Sequence, residues 1–260
     1  MTKAKAHTNT LIITPTYNER VNVETLLDRI HTLDSDIQVL VVDDNSPDGT
    51  GEYVQERADA EDWVHVLRRP SKQGLGTAYC AGFLWALKRD YALIIQMDAD
   101  GSHNPDQIPD LLAEAGDYDL VIGSRYIKGV NIVNWPLSRL ILSWSANIYA
   151  KVITGVPVWD LTGGFKCWKR EVLANLDVPT IRSEGYSFQI ETTFRAYRLK
   201  YTIKEVPIIF VDRTEGDSKM SQGIIYEAVW MVIRLKLSHI RDIIREKLFQ
   251  PRVIENPPDK

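Results

Sequence analysis

The chain has 260 residues, 44% of them hydrophobic and 25% charged, with a formal net charge of -4. That length buries one large core or two small ones, and the slightly acidic balance argues against a nucleic-acid partner. Cys80 and Cys167 lack metal-ligand spacing, which argues against a disulfide framework or a zinc site and makes a reducing cytoplasm the expected compartment.

The opening MTKAKAHTNT is polar and has no apolar h-region, which predicts a disordered arm over 1–9 and no secretory signal. NTLIITPTY then reads as a buried strand, ERVNVETLLDRIHTL as an amphipathic helix and IQVLVVDDNS as a second strand. WVHVLRR, YALIIQMDAD and YDLVIGSRY repeat the strand pattern, separated by the helical patterns GTAYCAGFLWALKRD and PDQIPDLLAEAG. Fully apolar strands alternating with helices predict an α/β fold, a three-layer arrangement around a mostly parallel sheet. After about residue 130 the pattern changes. A helix is expected over 137–153, a Gly-rich turn into another helix at VWDLTGGFKCWKREVL, and a further helix at SEGYSFQIETTFRAYRLK. YTIKEVPIIFVDR supplies a strand at the edge of the sheet, and a long helix over roughly 222–249 closes the chain. The division expected is a main domain over 10–222 and an amphipathic helix with a Pro-rich tail over 223–260. No segment reads as a transmembrane span, because Glu227, Arg234 and Lys236 interrupt the most apolar window.

In parallel sheets, ligands sit beyond the carboxyl ends of the strands. Pro15, Tyr17 and Glu19 follow the first strand, Asp43 and Asp44 the second, Asp98 and Asp100 the fourth, and Arg125 the fifth. Two carboxylates one residue apart at a strand mouth suit a hard divalent cation, which relieves their repulsion and completes its shell with water and phosphate oxygens. Asn45 through Thr50 read as turn formers. Lys72, Gly74 and Gly76 precede a helix whose N-terminal amides favour an anion, but Tyr79 stands where a dinucleotide fingerprint needs its third glycine.

The motifs TPTYNE, VVDDNSPDGT, GLGTAY, MDADGSHNP, GSRY, DLTGGFKCWKREVL, GYSFQIE and EVPIIFVDR with GDSKM, in that order, closely resemble the dolichol-phosphate (polyprenol-phosphate) mannosyltransferases. These are inverting enzymes of glycosyltransferase family 2 with the GT-A fold, and the resemblance runs from about residue 11 to 222. It implies mannose transfer from GDP-mannose to a polyprenyl phosphate. It implies a nucleotide-sugar pocket of Pro15, Tyr17, Glu19, Val42 and Asp44, and a diphosphate site at Asp98, Ala99 and Asp100, with both aspartates as Mg2+ or Mn2+ ligands. Arg125, Arg213 and Lys219 match the family's basic residues around the phosphates. Gly101-Ser102 stands where some relatives carry a larger residue and a metal-assisting glutamine, so two protein ligands are expected. Asp98, Asp100 and Arg125 are the expected catalytic groups.

The loop DRTEGDSKMSQG is expected to close over the donor. Ile233, Leu237, Ile240, Ile244 and Leu248 recur at helical spacing among basic residues, which suits either an anionic membrane surface or packing on the sheet. Trp135, Trp144 and Tyr149 leave the same choice. The expected location is the cytoplasmic face of the membrane, with a membrane-embedded partner subunit as a possible companion. Rival readings are hexosyl transfer from a UDP-sugar and, from another class, a Mg2+-binding receiver-like signalling domain or a silent sugar-nucleotide-binding scaffold.

Overall fold

A computed structural model of the chain describes residues 9–212 and 222–249, with side chains in the last helix described at 229–241 and 244. Arg213, Lys219, the expected closing loop and the tail lie outside the described residues, as does the expected arm up to residue 8. Asn9 is already tied down: its side chain donates to the Asp90 carbonyl, and its own carbonyl accepts from Ala92.

The sheet strands are β1 (Thr10–Thr16), β2 (Gln38–Asp43), β3 (Val64–Arg68), β4 (Leu93–Gln96) and β5 (Leu120–Ser124). A short β6 (Ile132–Val133) follows, then β7 (Lys166–Lys169), β8 (Ile203–Pro207) and a short β9 (Phe210–Val211). Seven of them form one sheet in the order β3-β2-β1-β4-β7-β5-β8, while β6 and β9 pair separately. Every neighbour pair in the large sheet is parallel except those of β7, which is antiparallel to both β4 and β5. The expected mostly parallel α/β sheet is borne out.

The helices are α1 (Arg20–Leu33), α2 (Thr50–Ala60), α3 (Leu75–Leu87), α4 (Ile108–Glu114), α5 (Leu137–Thr154), α6 (Arg170–Asn175), α7 (Gly185–Arg198) and α8 (Gln222–Phe249). Two cores explain why the strands are apolar throughout. Ile12, Val39, Val41 and Ile95 meet α1, α2 and α4 through Val23, Leu27, Val54 and Leu111. Leu11, Ile13, Leu40, Val42 and Ile94 face the other way, onto Tyr79, Phe83, Val172, Phe188 and Phe194 of α3, α6 and α7. Alternate residues of one strand thus enter opposite cores.

The structure corrects the reading of the second half, which contributes an interior strand as well as an edge. Residues 166–169 were expected within a Gly-rich turn and helix. Lys166 is fully buried, since tertiary contacts supply its polar partners. In α8, Val232 joins the core with Met231 and Leu235 beside it, whereas Leu237, Ile240 and Ile244 remain exposed. Of the stripe singled out from sequence, Ile233 is half-buried and those three are exposed.

Candidate functional site

Strand β4 ends at Gln96, and the chain then leaves extended geometry through Asp98, Ala99 and Asp100. Gly101, with φ of +77°, makes the reversal that a side chain would resist. Each carboxylate is oriented by a protein donor. The Tyr79 hydroxyl donates to Asp98 Oδ1 at 2.6 Å, and the Ser102 N–H donates to Asp100 Oδ1 at 3.1 Å. Burial pushes the Tyr79 phenol well above its ordinary value and the Asp98 charge adds to this, so Tyr79 stays protonated and keeps donating. His103, stacked on Phe165, accepts the Asp98 N–H at Nδ1 and pins the loop from below.

Around this loop the nucleotide-side residues converge as the topology requires. Asp43 and Asp44 take different partners. Asp43 is fully buried and accepts from the Ser46 N–H, the Ser46 hydroxyl and Thr16. Asp44 lies 2.7 Å from Arg69 Nη1 and accepts the Gln73 N–H at 3.2 Å. Burial raises the Asp44 pKa, with Gln73 and Arg69 pulling the other way. The Lys72 ammonium stands 3.8 Å over the Tyr17 ring, Glu19 accepts from Asn22 at 2.5 Å, and Pro15 pairs with Val42 across β1 and β2. The rim therefore holds Arg69 and Lys72 beside its acids.

The N-terminus of α3 also differs from expectation. Its amides are occupied by an anion from the chain itself, since Glu184 accepts the N–H groups of Gly76 at 2.8 Å and Thr77 at 3.2 Å. Burial raises the Glu184 pKa above its ordinary 4.5, the Gly76 and Thr77 bonds opposing it. The folded state thus holds this proton more tightly than the unfolded chain. The stability Glu184 contributes is complete below pH 4.5 and is lost as pH rises through the folded value. Unfolding midpoints of wild type and Glu184→Gln, compared upward from pH 4.5, are expected to show the variant losing less with rising pH; parallel profiles would refute this.

The family resemblance groups Arg125 with the basic residues around the phosphates; in the structure it is 4% exposed and its partner Asp160 is fully buried. Its backbone N–H and Nε donate to Asp160 Oδ2 at 2.9 and 2.7 Å, and its Nη2 donates to Asp160 Oδ1 at 2.6 Å and to Thr162 at 2.7 Å. A guanidinium so deep must be paired, and the fork of Arg matches one carboxylate. Glu205 in turn accepts the N–H groups of Trp159 and Asp160. Arg125 thus fixes the Asp160–Gly164 turn that passes beside Asp98.

His103, Asp160 and Glu184 were not singled out from the sequence, and Tyr79 was noted only as breaking a glycine fingerprint. Nor was Arg139 singled out, which donates to both oxygens of Asp212 at 2.9 and 3.0 Å and lies 4.1 Å from the Trp135 ring. Asp160 carried a faint signal, an acid three residues before Gly163-Gly164; the partners of Tyr79, Glu184 and Arg139 lie 19 to 108 positions away along the chain.

The site's chemistry follows from its donors. Two hard carboxylate groups, each rotationally held, fit a divalent cation that takes its other ligands from water and phosphate. Gly164 leaves room there, for a Cβ at that residue would lie 3.5 Å from Asp98 Oδ2. Among the described residues no group of three or more His, Cys, Asp or Glu could hold a metal.

Comparison with known proteins adds three findings. The family model described as glycosyl transferase family 2 matches residues 11–177. An undecaprenyl-phosphate mannosyltransferase of Micrococcus luteus is 46% identical over 92% of this chain and 98% of its own. A polyprenol monophosphomannose synthase of Mycolicibacterium smegmatis is 47% identical over 91% of each chain. Among solved structures, glucosyl-3-phosphoglycerate synthase from Mycobacterium tuberculosis, in complex with Mn2+, UDP and phosphoglyceric acid, superposes with a TM-score of 0.63. That match covers 90% of this chain and 79% of the other at 19% identity, a likeness of fold.

Proposed function

The chain belongs to glycosyl transferase family 2, and from that premise we propose that it transfers mannose from GDP-mannose to a polyprenyl phosphate. The observation that carries this reading is the oriented pair Asp98 and Asp100 at the mouth of β4, in a chain alike over nine-tenths of its length to two polyprenyl-phosphate mannosyltransferases. Family membership removes the receiver-like alternative. Transfer from a UDP-sugar remains the second reading, favoured by the UDP bound to the structural relative.

Asp98 and Asp100 would hold Mg2+ or Mn2+, which when bound neutralises charge on the departing diphosphate. The remaining work belongs to the chain. Tyr79 and Ser102 keep the carboxylates turned to the donor. Pro15, Tyr17, Glu19, Val42, Asp44 and Ala99 would line the nucleotide side, and Arg213 and Lys219 would meet phosphates from the segment after Asp212. Arg125 positions the turn beside Asp98. The acceptor phosphate, with a second pKa of about 6, is already ionised near neutral pH and needs no general base. Its attack on C1 from the face opposite the diphosphate inverts the anomeric centre and yields a β-mannosyl phosphate.

No helix among the described residues is long and apolar enough to cross a membrane. The lipid acceptor would instead be met at the surface of the bilayer on its cytoplasmic side. On α5, Leu137, Ile141 and Trp144 are exposed at spacings of four and three, and on α8 Trp230, Leu237, Ile240 and Ile244 are exposed at spacings of seven, three and four beside Arg234 and Arg241. Apolar stripes with basic flanks suit an anionic bilayer. The double variant Trp144→Ser/Trp230→Ser should float with anionic vesicles at least about tenfold less efficiently, each exposed ring being worth roughly 1.5–3 kcal/mol of burial. Undiminished flotation would remove this surface from the reading. A membrane-embedded partner would fit the same face.

The direct test is transfer of radiolabelled mannose from GDP-mannose into polyprenyl phosphate by the purified protein, with and without Mg2+ or Mn2+. Metal-dependent label in the lipid phase supports the reading. Label only from a UDP-sugar would establish the second.

A further inference from the structure

Gln189, on α7, is 3% exposed and belongs to a buried polar cluster at the foot of the carboxylate loop. Its Oε1 accepts from Lys166 Nζ at 2.9 Å and from Gln96 Nε2 at 2.8 Å, and its main-chain oxygen accepts from the same ammonium at 2.9 Å. In its charged form Lys166 only donates, so the amide atom facing it is oxygen, and Nε2 points the other way. A Cβ on Gly164 would lie 3.4 Å from that Nε2 and 3.5 Å from Asp98 Oδ2. The same Cβ would lie 3.4 Å from His103 Cε1, so the bare glycine stands between the amide donor, the His103 ring and the candidate metal ligand. Nε2 takes no part in these three bonds.

The cluster is a costly one to bury, and stability does not account for it. Lys166 is fully buried with no carboxylate in hydrogen-bond contact, and burial pushes its pKa down to about 7, with Asp160 partly opposing. Both of its hydrogen bonds go to Gln189. A cation bonded to the oxygen of an amide polarises the N–H groups at its other end. The arrangement thus aims a strengthened neutral donor into the site.

Resting on the reading of an anionic acceptor, we propose that Gln189 Nε2 donates a hydrogen bond to the acceptor phosphate and selects for acceptors that are already ionised. In the step it serves, a phosphate oxygen forms a bond to C1 while the C1–O bond to the diphosphate breaks. The bonding pair leaves with the nucleotide, and no proton moves. A hydroxyl acceptor would need a base at this place to take its proton. A phosphate monoester needs a donor that does not repel it, and an amide held by Lys166 is such a group. A carboxylate here would be wrong on both counts.

The test is steady-state kinetics of Gln189→Glu and Gln189→Met beside wild type, with donor affinity measured separately by calorimetry. Gln189→Glu keeps the size and the Lys166 partner, so the fold is expected to hold, but it turns a negative oxygen toward the acceptor. Gln189→Met removes the donor without adding charge. Both should raise the acceptor KM at least about tenfold, as loss of a hydrogen bond to a charged group does, with Gln189→Glu the worse. Donor affinity should stay within about twofold of wild type. An acceptor KM unchanged in both variants would overturn the proposal. A parallel fall in donor affinity would also overturn it, by placing the amide at the donor diphosphate. Absence of transfer by wild type is a separate outcome, which removes the underlying reading and this inference with it.

Discussion

Asp100→Asn is expected to lower mannosyl transfer by about a thousandfold, the factor that roughly 4 kcal/mol of lost transition-state stabilisation represents. The substitution isolates charge from shape. Asparagine keeps an oxygen that can accept the Ser102 N–H, so the turn through Gly101 should survive and the thermal midpoint should hardly move. What disappears is one of two anionic ligands at the mouth of β4. The remaining carboxylate, Asp98, has one oxygen already given to the Tyr79 hydroxyl. Raising the metal concentration should therefore recover only part of the rate. Near-normal turnover in Asp100→Asn at ordinary Mg2+ concentration would show that the pair is not a metal site, whatever the family.

The second large effect is on stability. Asp160→Ala leaves the Arg125 guanidinium buried without its carboxylate, and removing one partner of a buried ion pair costs about 3–5 kcal/mol. Chemical denaturation should show a loss of that size, and at roughly 2–4 °C per kcal/mol the thermal midpoint should drop by about 6–20 °C. Arg125→Met alone should cost a similar amount, since it strands a carboxylate that is 0% exposed. The double variant Arg125→Met/Asp160→Leu removes both charges and should regain most of the loss, because apolar replacements of a buried pair are often neutral. If either single variant matched wild type in denaturant, the pair would not be the keystone of the turn. Even the stable double variant should transfer poorly, because Thr162 loses its Arg125 contact and the turn at Gly164 runs beside Asp98.

These two cases mark different degrees of legibility. The DAD motif was readable because a strand pattern ending in paired acids, with a second acidic pair beyond another strand, fits a ligand site at the strand ends. Arg125 was readable as a residue of the site but not in its environment, since its partner stands 35 positions along the chain. The Glu184 anion at the head of α3 was hidden for the same reason: sequence showed amides ready for a negative group, and a residue more than a hundred positions away supplies it. Lys166 was the most misleading position. A lysine at the start of a four-residue run looks like a surface turn, yet the structure places it in an interior antiparallel strand, directly opposite Gln96.

By itself the sequence determined the elements of the first half, the α/β class, the strand-end location of the carboxylates and the family resemblance. Those properties follow from local runs and from motifs whose order is preserved along the chain. The tertiary structure alone decided which charges are spent within the protein and which face a ligand. Arg125, Lys166 and Glu184 have the same chemistry in the sequence as any exposed arginine, lysine or glutamate. Only the partners that folding brings to each of them, Asp160, Gln189 and the first turn of α3, separate structural charge from working charge. The reason is that the energy of a charge depends on its burial and its neighbours, and neither is a property of position along the chain.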